Sequence, residues 1–432
     1  MMLYDNLSVG ENGHLYVSGQ DTAALAAQYG TPLYVMDEQV IRHRVRTYKT
    51  AMERYFPAGS RPEFAGKAFS CRRIYEIMAE EGISVDAVSP GELYTAKVAG
   101  FPMERVFFHG NNKSDEDIAA AMDWGTGFFV LDSMDEAAAV EQHAAARGIT
   151  QKVLLRITPG IDPHTHRKIN TGTVDSKFGV ALETGQAMEA VRELLTYPHV
   201  ELHGFHCHVG SQLFEVSLFR DAASVMLKFA RDVRDTLGFT ADIVNLGGGL
   251  GVRYVESDPI IDYDARLCEI GGYIREISDE LQMQPPRIML EPGRSLVADA
   301  GLTLYTVGSV KEVTDYRNYV SVNGGMTDNP RYTLYGAAYT VINATHADAP
   351  CEYEATLAGR CCESGDILQR DVMMAKPTRG DIVAVLTTGA YNYSMASNYN
   401  RVPRPAVVIV NGDDSYVAVR RETYADVCAL DE

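Results

Sequence analysis

Glu63-Phe64-Ala65-Gly66-Lys67-Ala68-Phe69 is the stretch on which the fold turns. The run up to Ala65 is apolar enough for a buried strand, and Arg72 to Gly82 has helical spacing. Lys67 therefore falls at the carboxyl end of a strand, where the chain turns toward a helix. Taken alone it is either a solvated loop lysine or an amine of lowered pKa poised to form a Schiff base.

Working outward, the same strand-then-helix rhythm repeats. Short apolar runs at 62–66, 84–88, 106–109, 128–131, 152–157, 201–207, 243–246 and 287–291 are separated by amphipathic helical stretches. Ser89-Pro90-Gly91-Glu92 supplies an N-cap serine, a proline at the first helical position and a glutamate three residues on. Ser114 caps the next helix, which Gly125 closes, and Asp132 or Ser133 opens one that Gly148 ends. Eight such units over roughly 230 residues suit a (β/α)8 barrel better than an open doubly wound sheet, although periodicity alone admits both.

After Arg294 the texture changes. Residues 300–432 are rich in Val, Thr, Tyr and Gly, with alternating runs such as Val383-Ala384-Val385-Leu386 and Ala406 to Val410, which read as an antiparallel β domain. The expected fold class is thus α/β plus all-β. A TIM-like barrel over 37–295 is followed by a sandwich- or barrel-like β domain over 296–432, which the amino-terminal segment 1–36 joins.

Composition narrows the function. With 46% hydrophobic and 22% charged residues the chain is not a disordered one. A formal charge of -19 argues against nucleic acid or an anionic membrane as partner. Seven scattered cysteines, an odd number, suggest reduced thiols and a cytoplasmic address. Neither a signal peptide nor an apolar run of membrane-spanning length is apparent.

Barrel active sites lie at the carboxyl ends of the strands. Those ends carry Lys67, then His109-Gly110-Asn111-Asn112-Lys113, His206 to Gln212, Gly247-Gly248-Gly249-Leu250-Gly251, and Glu291-Pro292-Gly293-Arg294. The glycine run suits a phosphate wrapped by bare N–H groups, or simply a tight barrel turn. It is no dinucleotide fingerprint, because Val252 stands where the third glycine belongs. Glu291 is either a salt-bridge partner or a group that keeps a pyridine nitrogen protonated. His206 and His208 share a strand face that His203 does not, and no acidic cluster nearby completes a ligand set, so no metal is expected. His164 and His166, in a loop with Asp162 and Asp175, read as solvated surface.

Taken in order, Phe64 to Ala68, Ser89 to Leu93, His109 to Lys113, Asp175 to Gly179, His208 to Gln212, the glycine run and Glu291 to Arg294 carry a resemblance. It continues through Gly325 to Asp328, Arg331 to Tyr335, Cys362 to Asp366, Gly389 to Tyr391 and Ser397 to Asn400. The chain resembles the diaminopimelate decarboxylases, alanine-racemase-like pyridoxal-phosphate enzymes of fold type III. The resemblance implies pyridoxal 5'-phosphate on Lys67, His208 stacked on its ring, Glu291 on its pyridine nitrogen, and Gly249, Pro292, Gly293 and Tyr391 around its phosphate. Arg294, Arg331 and Tyr335 would bind carboxylates, Glu363 the distal ammonium, and Cys362 would protonate the α-carbon. It further implies a homodimer in which Cys362 and Glu363 come from the partner, acting on meso-diaminopimelate to give L-lysine and CO2.

Gly66, Phe69 and Pro90 depart from the family's usual residues and flank the reactive groups. An ornithine- or arginine-type decarboxylase is disfavoured by Arg331, which would repel a diamine product. A carboxynorspermidine decarboxylase and an amino-acid racemase are further alternatives. A non-catalytic relative would be expected to lack Lys67, Gly249 or Cys362.

Overall fold

The computed structural model describes residues 2–161 and 176–432; His164, His166, Asp162 and Asp175 lie outside the described residues. The eight apolar runs form parallel strands: β1 (Arg61–Ala65), β2 (Ser84–Ala87), β3 (Val106–Phe108), β4 (Phe128–Leu131), β5 (Gln151–Thr158), β6 (Val200–His206), β7 (Ile243–Asn245) and β8 (Arg287–Leu290). Each pairs with the next in chain order, and β8 returns to β1, which closes the barrel. Closure leaves no strand edge among the eight. The interior is packed by Phe107, Phe128, Val130, Leu154, Ile243 and Met289, with Phe107 and Phe128 stacked at 4.5 Å.

The helix punctuation works as the sequence implies. Ser89 Oγ accepts from the Glu92 N–H. Ser114 and Asp117 form a reciprocal capping box, and Gly82 and Gly148 end their helices in the left-handed conformation. These caps fix where each helix starts and stops, and hence how far each β-strand end projects.

Two compact units emerge. One comprises Arg44–Gly251 and Ile261–Gly293, and contains the barrel. The other comprises Met1–His43, Val252–Ile260 and Arg294–Glu432. Its central strand, Gly301–Val313, pairs antiparallel with Leu33–Asp37, so an amino-terminal strand does enter this sheet. The expectation of an antiparallel domain needs correction. Leu33–Asp37 runs parallel to Ala406–Asn411, and Arg317–Val322 parallel to Tyr353–Ala358, so the sheet is mixed. Alternating hydrophobicity reports that one face is buried and is silent on strand direction.

Candidate active site

In the barrel unit Lys67 sits in a single 3-10 turn, Gly66–Ala68, directly after β1, and its side chain is exposed. Asp86 on β2 pins that turn by accepting from the Gly66 N–H at 2.8 Å. A Cβ at Gly66 would lie 2.7 Å from the Asp86 carbonyl and 2.8 Å from the Tyr75 hydroxyl. That crowding is a local reason for glycine at this position. Burial pushes the Asp86 carboxyl up to about 8, against the pull of Lys67.

His208 follows β6. Burial and the nearby Lys67 charge hold its imidazole well below the usual histidine range, so it is a neutral ring at pH 7. The glycine run follows β7 and is held by backbone bonds, Leu213 N–H to the Gly249 carbonyl at 2.8 Å and Glu291 N–H to the Gly247 carbonyl at 2.9 Å. Gly248 lies against Glu291 so closely that a Cβ would stand 2.0 Å from the Glu291 carbonyl oxygen. Gly249 has φ +134°, and a Cβ there would meet the Gly210 carbonyl at 2.7 Å. Across the barrel seam, Pro292 accepts from the Ala65 N–H, and Gly293 leaves space that a Cβ would close to 2.8 Å from the Ala65 Cβ.

Below these loops lies a buried polar cluster. Glu291 Oε1 is 3.0 Å from His206 Nε2 and 3.5 Å from His109 Nε2. Burial opposes charge on Glu291, but His206, 3.0 Å away, outweighs it and its carboxyl stays well below the usual carboxylate range. The sequence left His206 without an acidic neighbour; closure of the barrel supplies one, as Glu291 after β8 reaches to 3.0 Å from His206 at the end of β6. Asp86 and Glu63, neither singled out by motif, belong here too. Their signal was present as polar residues at inward positions of otherwise apolar strands.

In the other unit four predicted residues come together, two of them over one ring. The Arg294 and Arg331 guanidinium carbons lie 4.8 and 5.4 Å from the Tyr391 ring centroid, and Arg331 is 5.2 Å from the Tyr335 ring. Both arginines are buried, and Arg294 Nη1 donates to the Tyr254 hydroxyl at 2.6 Å. Tyr254 was missed, because nothing in the sequence ties the segment after the glycine run to this sheet. Arg331 forms no ion pair with any described residue, and its Nε has no hydrogen bond. Tyr391 has φ +61°, a conformation a non-glycine residue adopts at a cost. Cys362 and Glu363 are exposed, on the segment whose Gly365 carbonyl accepts from Thr333 Oγ1 at 2.9 Å. The Cys362 N–H is held by Asn400 Oδ1 at 2.8 Å, and Glu363 accepts from the Gly365 N–H at 3.2 Å.

The barrel end fits pyridoxal phosphate on its own chemistry. It offers an exposed primary amine, backbone crowded so that only glycine passes, a neutral imidazole, and buried polar atoms lacking hydrogen bonds, Glu291 Oε1 and His206 Nε2 among them. Fold and residues together define a barrel-type pyridoxal-phosphate enzyme.

Residues 38–298 match the family "Pyridoxal-dependent decarboxylase, pyridoxal binding domain". The diaminopimelate decarboxylase of Bacillus subtilis (strain 168) is 45% identical over 433 residues, covering 100% of this chain and 98% of that protein. The crystal structure of the diaminopimelate decarboxylase from M. jannaschii in complex with L-lysine superposes with TM-score 0.92 at 34% identity, covering 100% and 99% of the two chains. That of the Helicobacter pylori diaminopimelate decarboxylase with L-lysine gives 0.86 at 30% identity over 94% and 98%. The chain belongs to the diaminopimelate decarboxylase family, within the pyridoxal-dependent decarboxylases. It is a carboxy-lyase.

Proposed function

We propose that this chain removes one carboxylate from meso-2,6-diaminopimelate, giving L-lysine and carbon dioxide as the last step of lysine formation, with pyridoxal 5'-phosphate as cofactor. The observation that carries the substrate is Arg331. A buried guanidinium without an ion pair among the described residues calls for an anion from outside, and it shares the Tyr391 ring with a second arginine. Two such readers suit a substrate with a carboxylate at each end. A substrate of the ornithine or arginine type has no second carboxylate for Arg331 to read.

The residue roles in this reading are those the resemblance implies. Lys67 Nζ would anchor the cofactor's aldehyde carbon. The His208 ring would stack on the cofactor, Glu291 would take its ring nitrogen, and Gly249 with the backbone at Pro292 and Gly293 would receive its phosphate, aided by Tyr391. Bound there, pyridoxal phosphate supplies an electron sink for the pair left when carbon dioxide departs. Arg294, Arg331 and Tyr335 orient the substrate carboxylates and Glu363 its distal ammonium. Cys362 Sγ delivers the proton to the α-carbon. Cys362 and Glu363 act in the site of a second copy, which makes the working form a homodimer; its address is the cytoplasm. Among the described residues no helix is long and apolar enough to cross a membrane.

Carbon dioxide release from meso-diaminopimelate, ornithine and arginine tests the reading. Release from diaminopimelate alone is expected, and it should vanish in Lys67→Ala together with the visible absorbance of the borohydride-sensitive cofactor. Faster release from ornithine would overturn the substrate. Mixing Lys67→Ala with Cys362→Ala chains should restore some activity; hybrid dimers without recovery would place both groups in one chain.

A further inference from the structure

Glu63 lies on β1, four residues before Lys67, and is fully buried inside the barrel. Asn245 at the end of β7 donates to Oε2 at 3.4 Å. Oε1 faces His109 Nε2, beyond β3, at 3.4 Å, and neither atom has a hydrogen bond. On the far side of the same nitrogen stands Glu291 Oε1, at 3.5 Å. No lysine or arginine forms an ion pair with Glu63 among the described residues. Asp86 faces it from β2, while Arg61 and Lys67 act on it only through space.

Two carboxylates thus bracket one imidazole nitrogen, and the proton inventory decides what each can do. If His109 carried a proton on Nε2, the two oxygens would compete for it as buried carboxylates that form no lysine or arginine ion pair among the described residues, which is costly. If instead Glu63 carries a proton on Oε1, both orphaned atoms are satisfied by one hydrogen bond. His206 Nε2 then stays the nearest nitrogen to Glu291 Oε1, at 3.0 Å.

We infer that Glu63 is a positioning residue: as a carboxylic acid it donates to His109 Nε2, keeps that imidazole from Glu291, and leaves Glu291 the charged carboxylate that meets the cofactor's ring nitrogen. The electrostatics agree. Burial, then the facing Glu291 and Asp86, drives the Glu63 carboxyl well above the usual range, and Arg61 and Lys67 do not reverse it. Burial also keeps His109 well below the usual histidine range, so its Nε2 is free to accept. Without the Glu63 proton, His109 would turn its own N–H onto Glu291 and spend that charge before the cofactor arrives.

The inference rests on the proposed role of Glu291, and the experiment separates the two. In cofactor-free protein at pH 7, the infrared carbonyl band of protonated carboxylic acids should lose intensity in Glu63→Gln. Pyridoxal phosphate titrated into the same proteins should bind Glu63→Gln within about twofold of the parent, because the amide N–H replaces the acid O–H. Glu63→Leu, which keeps bulk but donates nothing, should bind about tenfold more weakly. An unchanged infrared band, or a Gln variant as weak as the Leu variant, would overturn the inference. A parent protein that binds no pyridoxal phosphate would instead sink the role of Glu291, with the infrared result still reading Glu63.

Discussion

The cluster beneath the barrel loops and the cluster around Tyr391 bury groups of opposite sign. Beneath the barrel loops three carboxyl groups, Glu63, Asp86 and Glu291, are buried with two histidines. Around Tyr391 the buried charges are two guanidinium groups. Each collection matches what it is proposed to receive. An aromatic ring with a protonated nitrogen favours an acid, and a dicarboxylate favours paired arginines. The formal charge of -19 predicts neither collection, because buried groups answer to contacts within a few ångströms.

The contrast is most sharply tested where the backbone itself is crowded. Gly248→Ala, whose Cβ would fall 2.0 Å from the Glu291 carbonyl, should weaken pyridoxal phosphate binding by more than about a hundredfold. A cofactor titration checks this, and a circular dichroism spectrum matching the parent would confine the loss to the site. In the β unit the effect should be smaller and should fall on substrate. Arg331→Lys keeps the charge but loses the planar fork, so KM for diaminopimelate should rise about tenfold or more while kcat moves less. A change confined to kcat would break the comparison, since it would move Arg331 from reading substrate to serving the chemistry.

The smallest effect concerns pH. Burial pushes Asp86 up to about 8 against Lys67, and Asp328 in the β unit up to about 6 against the Tyr305 hydroxyl. An acid whose folded pKa is raised contributes its full stability below the ordinary value near 3.8 and loses it as pH climbs through the folded value. Of these two acids, the loss between pH 6 and 8 therefore belongs to Asp86, at most about 1.4 kcal/mol per pH unit. Asp86→Asn should flatten the fall of the melting temperature over that window, and Asp328→Asn should leave it unchanged.

Legibility differed between the regions for physical reasons. Barrel strands and helices announce themselves locally, through apolar runs and through caps such as Ser89, Ser114 and Gly148, and so the placement of Lys67 could be read directly. The β unit is assembled from distant pieces. Its parallel pairings, the entry of Tyr254, and the meeting of Arg294 with Arg331 over one tyrosine depend on tertiary closure, which no short window contains. Motif resemblance supplied those residues; spacing did not. Glu63 escaped both routes, because a single acid in a strand looks like an exposed residue until the barrel is closed around it.

The back-to-back packing of Gly248 and Glu291 has one more consequence. The loop offered to the phosphate and the carboxylate offered to the ring nitrogen are two jaws of a fixed caliper, since neither backbone can move without the other. Such a gauge measures the span from phosphorus to nitrogen. Analogues with a lengthened phosphate arm should be refused even when every polar group they carry is correct.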